Sequence, residues 1–265
     1  MTERLTRRPD QPAAPVRIAH LGLGNFFRAH QAWYTMHAPD GAEWGIAAFT
    51  GRRPDAARAL APQDGLYTLV VRRPEGDELE VITSVSAVHA AADHTAWLDY
   101  LRDPEVVIVT STVTEAGYLR GSDGGLDRDN PDVTADIETL RRDPVAAVRT
   151  TPGRLLAGLM ARRAADSGPI TLLPCDNLPG NGAVVARVVR DFAAEVDESV
   201  LPWIEENVDF ASAMVDRITP AVNEETAQIV ERELGVHDAS PVATEPFSEW
   251  VIAGKFPGGR PRWED

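Results

Sequence analysis

The chain has 265 residues, 43% of them hydrophobic and 25% charged, with a net charge of -15. Such values belong to a globular protein with a sizeable core, and so acidic a surface repels phosphate backbones and anionic lipid, which argues against nucleic acid and membranes as partners. Cys175 is the single cysteine, which leaves no intrachain disulfide or cysteine-based zinc cluster, suits a reducing compartment and makes cytoplasmic the default location.

Residues 1–15 are basic but carry no apolar run, and they read as a flexible leader rather than a signal peptide. From residue 16 to 265 the pattern is that of one continuous α/β domain. Residues 17–21 (RIAHL) are mostly apolar, as in a strand buried on both faces. Residues 25–37 have helical composition and end at the turn Pro39-Asp40-Gly41; residues 44–50 give a second strand and 55–61 a second helix. The β-branched runs YTLVVRR and LEVITSVSAV, split by Pro74-Glu75-Gly76-Asp77, predict a small hairpin or meander insertion.

A helix over 94–101 and a strand over 106–112 follow, and then a polar loop, GSDGGLDRDNP. That loop lacks the alternate ligand spacing and closing glutamate of a calcium loop. Beyond it the sequence predicts a helix over 152–165, a strand over 170–174 and helices over 181–195 and 201–206. A strand, a helix and a strand close the chain over 210–218, 226–234 and 249–252. The fold class expected is a Rossmann-like, doubly wound, mostly parallel sheet.

The glycines opening GLGNFFRAHQ mark the first place for chemistry. Gly22 supplies a tight turn after the first strand, and Gly24 lets the backbone approach a pyrophosphate at a helix N-terminus. Phe27 stands where a third glycine permits close packing of helix on strand, so either the helix stands off or the ring enters the core. Arg28 is placed to reach a phosphate or a neighbouring acid. At the end of the second strand, where a dinucleotide enzyme holds the ribose 2'-hydroxyl, the chain reads TGRRPD. Asp55 can take that hydroxyl and Arg52 or Arg53 a 2'-phosphate, so chemistry alone leaves NAD and NADP both open.

Polar clusters sit at three further strand ends: TSTVTEAGY, with Thr112 and Glu115; CDNLPGNG, with Asn177; and MVDRITP, with Asp216. Open α/β sheets bind ligands at such ends. Taken in order with GLGNFFRAHQAWYT and EPFSEWVI, these segments resemble the mannitol dehydrogenase family of polyol-specific long-chain dehydrogenases, which includes fructuronate and tagaturonate reductases. The resemblance implies NAD against Gly22 and Gly24 with Phe26 and Arg28 nearby, Asn177 holding the reacting substrate oxygen, and Glu115 and Asp216 near the nicotinamide and the proton path. It implies hydride transfer between a nicotinamide and a sugar alcohol, ketose or hexuronate, without metal.

The family's general base is a lysine in a Lys-x4-Asn-x2-His segment of a following helical domain, and these 265 residues contain no such segment; Lys255 is their one lysine. The expectation is therefore the nucleotide-binding half of an enzyme, nearly inactive as it stands and prone to self-association through the face that the helical domain would cover. The alternative is a non-catalytic NAD(P)-binding or sensing module.

Overall fold

The computed structural model describes residues 2–221 and 224–265. Contacts divide the chain into two compact units, one made of Met1–Ala91, Val215–Trp250 and Pro261–Asp265, the other of Ala92–Met214 and Val251–Arg260. The single continuous domain expected from the sequence thus has two centres of packing.

In the first unit the strands Val85–His89, Gly45–Phe49 and Val16–Leu21 lie side by side in that order, all parallel. Every residue of Gly45–Phe49 is buried, as a central strand covered on both faces requires. Leu21 and His89 both pair with Phe49, so the three carboxyl ends share one edge. The helix expected over 25–37 is two helices, Asn25–Ala29 and Gln31–His37, because His30 leaves helical geometry at φ -119° and ψ -88°.

The predicted hairpin is present, Tyr67–Val71 running antiparallel to Glu78–Ile82. Its expected continuation, Val85–His89, instead joins the parallel strands. The chain turns at Ser84, whose hydroxyl donates to the Ala32 carbonyl at 2.7 Å. Val242–Thr244 adds a parallel strand to the hairpin's other side; at three residues it is too short to show an alternation in sequence. Where the sequence suggests a loose leader, Glu3–Arg4 pairs with Val236–His237, and the Arg7 guanidinium donates to the carbonyls of Thr83 at 2.7 Å and Val85 at 2.8 Å.

The second unit has its own parallel set, Ile108–Ser111, Ile170–Pro174 and Val208–Phe210. Packed with them are the helices His94–Arg102, Pro131–Arg142, Thr151–Ala164, Asn181–Val196 and Leu201–Asn207. Pro131–Arg142 is absent from the sequence reading, although its start is well signalled. Asn130 accepts from the Asp132 and Val133 amides at 3.0 and 3.4 Å, and proline occupies the first turn. The strand expected over 210–218 is two, since Ser212–Asp216 leaves Val208–Phe210 to pair with Glu249–Ala253.

One buried side chain ties much of this unit together. Arg162, fully shielded from solvent, donates to the carbonyls of Leu101, Asp103 and Val106 at 3.1, 3.1 and 2.9 Å. It also donates to those of Ser167, Gly168 and Pro169 at 2.7, 2.8 and 3.1 Å. Burial lowers its pKa only to about 10, so it keeps its charge at neutral pH. No helix among the described residues is long and apolar enough to cross a membrane. Parallel strands joined through helices give the Rossmann-type α/β fold expected.

Candidate functional site

The glycine turn is built by its neighbours. As the strand Val16–Leu21 ends, Gly22 takes φ 111°, a conformation that side chains strain. The Gly22 and Leu23 amides both donate to the Phe49 carbonyl at 2.9 Å, which fixes the turn to the adjacent strand end. Gly24, at φ -126° and ψ -176°, begins the helix Asn25–Ala29 without a side-chain cap. That backbone suits any residue, and a Cβ there would meet only the Gly22 carbonyl, at 3.5 Å. Among the described residues nothing demands glycine at 24, whereas a ligand lying on the turn would.

Phe27 answers the question of the missing third glycine. Its ring is buried and stacks on His20 with centroids 3.6 Å apart and planes 12° from parallel, so the aromatic pair fills the core beneath the turn. Burial holds His20 at about 3, well below the usual 6.5, against a raising contribution from a backbone hydrogen bond with Gly22. His30, likewise buried, is held at about 4, with Arg217 lowering it further and the hydrogen bond from its Nε2 to the Glu249 carbonyl at 2.9 Å opposing.

Both rings are neutral when folded and take up protons when released. Unfolding therefore binds protons between about pH 4 and 6.5, and the stability these groups contribute is complete above that window and falls as pH drops through it. Two such rings give a slope of about 3 kcal/mol per pH unit. Urea unfolding at pH 7, 6 and 5 measures it; His20→Phe, which retains a stacked ring, should remove about half, and an unaltered slope would contradict the assignment.

Arg28 is buried and its guanidinium is engaged. It donates to the Ser240 carbonyl, to Ser240 Oγ at 2.9 Å, to Asn25 Oδ1 at 2.7 Å and to the Gly24 carbonyl at 3.3 Å. Phe26 is half-buried and stacks on His30 with centroids 5.0 Å apart. Arg52 and Asp55 are exposed beyond the end of Gly45–Phe49, the strand beside the turn. Asp55 meets Arg53 at 3.8 Å, a surface pair of little energetic weight. Asp216 is exposed at the end of its strand, while its neighbour Arg217 is buried, donating to the Ala29 carbonyl and lying 4.9 Å from the Trp33 ring centroid.

The remaining expected residues lie in the second unit. Ser111 pairs with Pro174, which sets the segments beginning at Thr112 and Cys175 on one edge. Thr112 is half-buried there. Glu115 is exposed, 3.6 Å from Arg120, and both line an open hollow of about 460 Å³ with Asp127 and Asn130.

Asn177 is exposed on a loop that the sequence reading had no means to brace. Tyr118, buried, donates its hydroxyl to Asp176, and burial together with that carboxylate pushes its pKa up. Asp176 also accepts from the Leu178 amide at 2.9 Å. Buried Asn181 donates to the Pro174, Asp176 and Ala213 carbonyls at 3.2, 3.2 and 3.0 Å and accepts from the Ala213 amide at 3.0 Å. Tyr118, Asp176 and Asn181 stood in the quoted segments, but only the fold shows that they clamp the loop carrying Asn177. Among the described residues no group of three or more His, Cys, Asp or Glu side chains is arranged to hold a metal ion.

The solved ternary complex of Pseudomonas fluorescens mannitol 2-dehydrogenase with NAD and D-mannitol superimposes with a TM-score of 0.86 at 37% identity, covering 99% of this chain and 54% of that one. Mannitol 2-dehydrogenase of Cereibacter sphaeroides is 39% identical over 272 residues, 100% of this chain and 56% of its own length. D-arabinitol 4-dehydrogenase of Ralstonia nicotianae is 40% identical over 260 residues, 95% of this chain and 54% of its own. The chain thus spans about half the length of the curated relatives it matches. Residues 16–265 match the model of the mannitol dehydrogenase Rossmann domain, and the chain belongs to the mannitol dehydrogenase family.

Proposed function

We propose that these residues form the dinucleotide-binding half of an oxidoreductase that moves hydride between a nicotinamide and a polyol, ketose or hexuronate. The observation that carries this reading is the turn at Gly22 and Gly24, where a glycine the chain does not itself require leaves backbone open at a strand's carboxyl end. Gly22 and Gly24 would hold the pyrophosphate, with Phe26 beside it. Asp55 would accept from a ribose 2'-hydroxyl and Arg52 would meet a 2'-phosphate; NAD is the preferred coenzyme, in keeping with the complex of the solved relative. Thr112 would line the same cofactor.

When bound, the nicotinamide supplies the hydride acceptor or donor. Asn177 orients the reacting oxygen by hydrogen bonding, and Glu115 and Asp216 serve the proton's route to solvent. Lys255 is exposed in its loop, its amide donating to Asp209 Oδ2 at 2.8 Å, and is assigned no catalytic part. A general base contributes roughly 10²- to 10⁴-fold, so the 265-residue chain should bind coenzyme and turn over weakly.

Calorimetric titration with NAD and NADP, followed by assays with mannitol, fructose, fructuronate and tagaturonate, tests the proposal. Binding of NAD more tightly than NADP is the expected result. Heat from neither coenzyme would refute it, and a slow redox change on any of these substrates would exclude a purely sensing module.

A further inference from the structure

The buried cation beside the glycine turn is held by a loop distant in sequence, and that loop is itself rigidly built. Asp238, nearly inaccessible to solvent, accepts from the Thr68 amide at 2.6 Å, from Gln63 Nε2 at 2.9 Å and from the Ser240 amide at 2.8 Å. Gln63, also buried, returns its oxygen to the Ala239 amide at 2.6 Å. The loop 238–240 is thereby fixed to the hairpin strand Tyr67–Val71 and to the turn before it. Ser240 presents both its carbonyl and its hydroxyl to Arg28. The Tyr67 hydroxyl donates to the Arg28 carbonyl at 2.6 Å, and the Arg28 guanidinium lies 5.3 Å from the Tyr67 ring centroid.

With its buried charge satisfied in this way, Arg28 turns its remaining donors on the turn, holding the Gly24 carbonyl at 3.3 Å and Asn25 Oδ1 at 2.7 Å. Fixing the Gly24 carbonyl fixes the peptide that follows it, and so the direction of the Asn25 amide. We propose that Arg28 is a positioning residue rather than a phosphate ligand, and that the Ser240–Arg28–Asn25 brace sets the affinity of the glycine turn for the diphosphate of a dinucleotide. The inference rests on the dinucleotide reading above. Its physical basis is preorganisation: amides already held toward an anion spend no binding free energy on being ordered.

The guanidinium of Arg28 is taken up by Ser240, the Gly24 carbonyl and Asn25 Oδ1, so in this proposal it acts on the diphosphate through the turn's backbone rather than by direct contact. Loss of the brace should weaken any ligand that carries the diphosphate and spare one that lacks it. Calorimetry on the 265-residue chain with NAD, ADP-ribose and adenosine reads this split. In Ser240→Ala the hydroxyl acceptor is gone, and NAD and ADP-ribose should bind about tenfold more weakly, the worth of one hydrogen bond to a charged group. Adenosine should bind as before. Ser240→Thr, which restores the hydroxyl, should recover affinity, and Asn25→Ala, at a half-buried position, should repeat the loss.

Equal weakening of all three ligands, or unchanged affinity in both Ser240→Ala and Asn25→Ala, overturns the brace while leaving the dinucleotide reading intact. A wild-type chain that binds neither NAD nor ADP-ribose overturns both.

Discussion

Gly24→Ala should leave the chain as stable as before and cost it most of its affinity for NAD, at least about thirtyfold, or roughly 2 kcal/mol. The two halves of this expectation come from different parts of the geometry. At φ -126° and ψ -176° alanine is unstrained, and its Cβ would sit 3.5 Å from the Gly22 carbonyl, an ordinary contact. Reduced freedom in the unfolded chain even favours alanine by about 0.4–1 kcal/mol at a compatible site. The same methyl group stands where a pyrophosphate would approach the backbone. Gly22→Ala is the contrast, since φ 111° strains any side chain by about 1–3 kcal/mol, and stability should fall with affinity. Thermal unfolding and calorimetry on the two variants check both; a Gly24→Ala protein that binds NAD as the parent does would remove the turn from the site.

Arg162→Ala should be among the most damaging substitutions in the second unit. Six buried or half-buried carbonyls converge on that guanidinium. A buried acceptor left without a donor costs about 1–3 kcal/mol, and water will reach some of the six. A net loss of about 4 kcal/mol follows, a large share of the roughly 5–15 kcal/mol that keeps a domain folded. Arg162→Lys keeps the charge but not the planar fork, and one ammonium cannot span acceptors on both sides of the guanidinium. It should recover less than half. Urea midpoints decide the matter, and an alanine variant within about 1 kcal/mol of the parent would show that the carbonyls are readily hydrated.

Much of this architecture is legible in the residues themselves because its causes are local. The buried run at 17–21, the glycines after it and the turn residues 74–77 each declare their structure through composition and backbone preference. The break at His30 does not, since nothing in FFRAHQAW disfavours helix; where it falls, the ring bonds the Glu249 carbonyl, a partner 219 residues away. Arg28 shows the limit most plainly. Its position near the glycines suggested a phosphate or a neighbouring acid as partner, and its acceptors include a serine 212 residues away, which no local pattern reveals. The clamp of Tyr118 and Asn181 on the 175–181 loop was hidden for the same reason, because each bond depends on which strands become neighbours.

The parallel pairing of Val242–Thr244 with Tyr67–Val71, together with the Asp238 contacts, carries a consequence for biosynthesis. A ribosome adding about 5–20 residues per second needs on the order of 10–40 s to pass from Arg28 to Ser240. Throughout that interval Arg28 has its local acceptors, the Gly24 carbonyl and Asn25, while both of its acceptors on Ser240 are still untranslated. The contacts that tie Arg28 and the strand Tyr67–Val71 to residues 238–244 can therefore close only after that late segment has emerged.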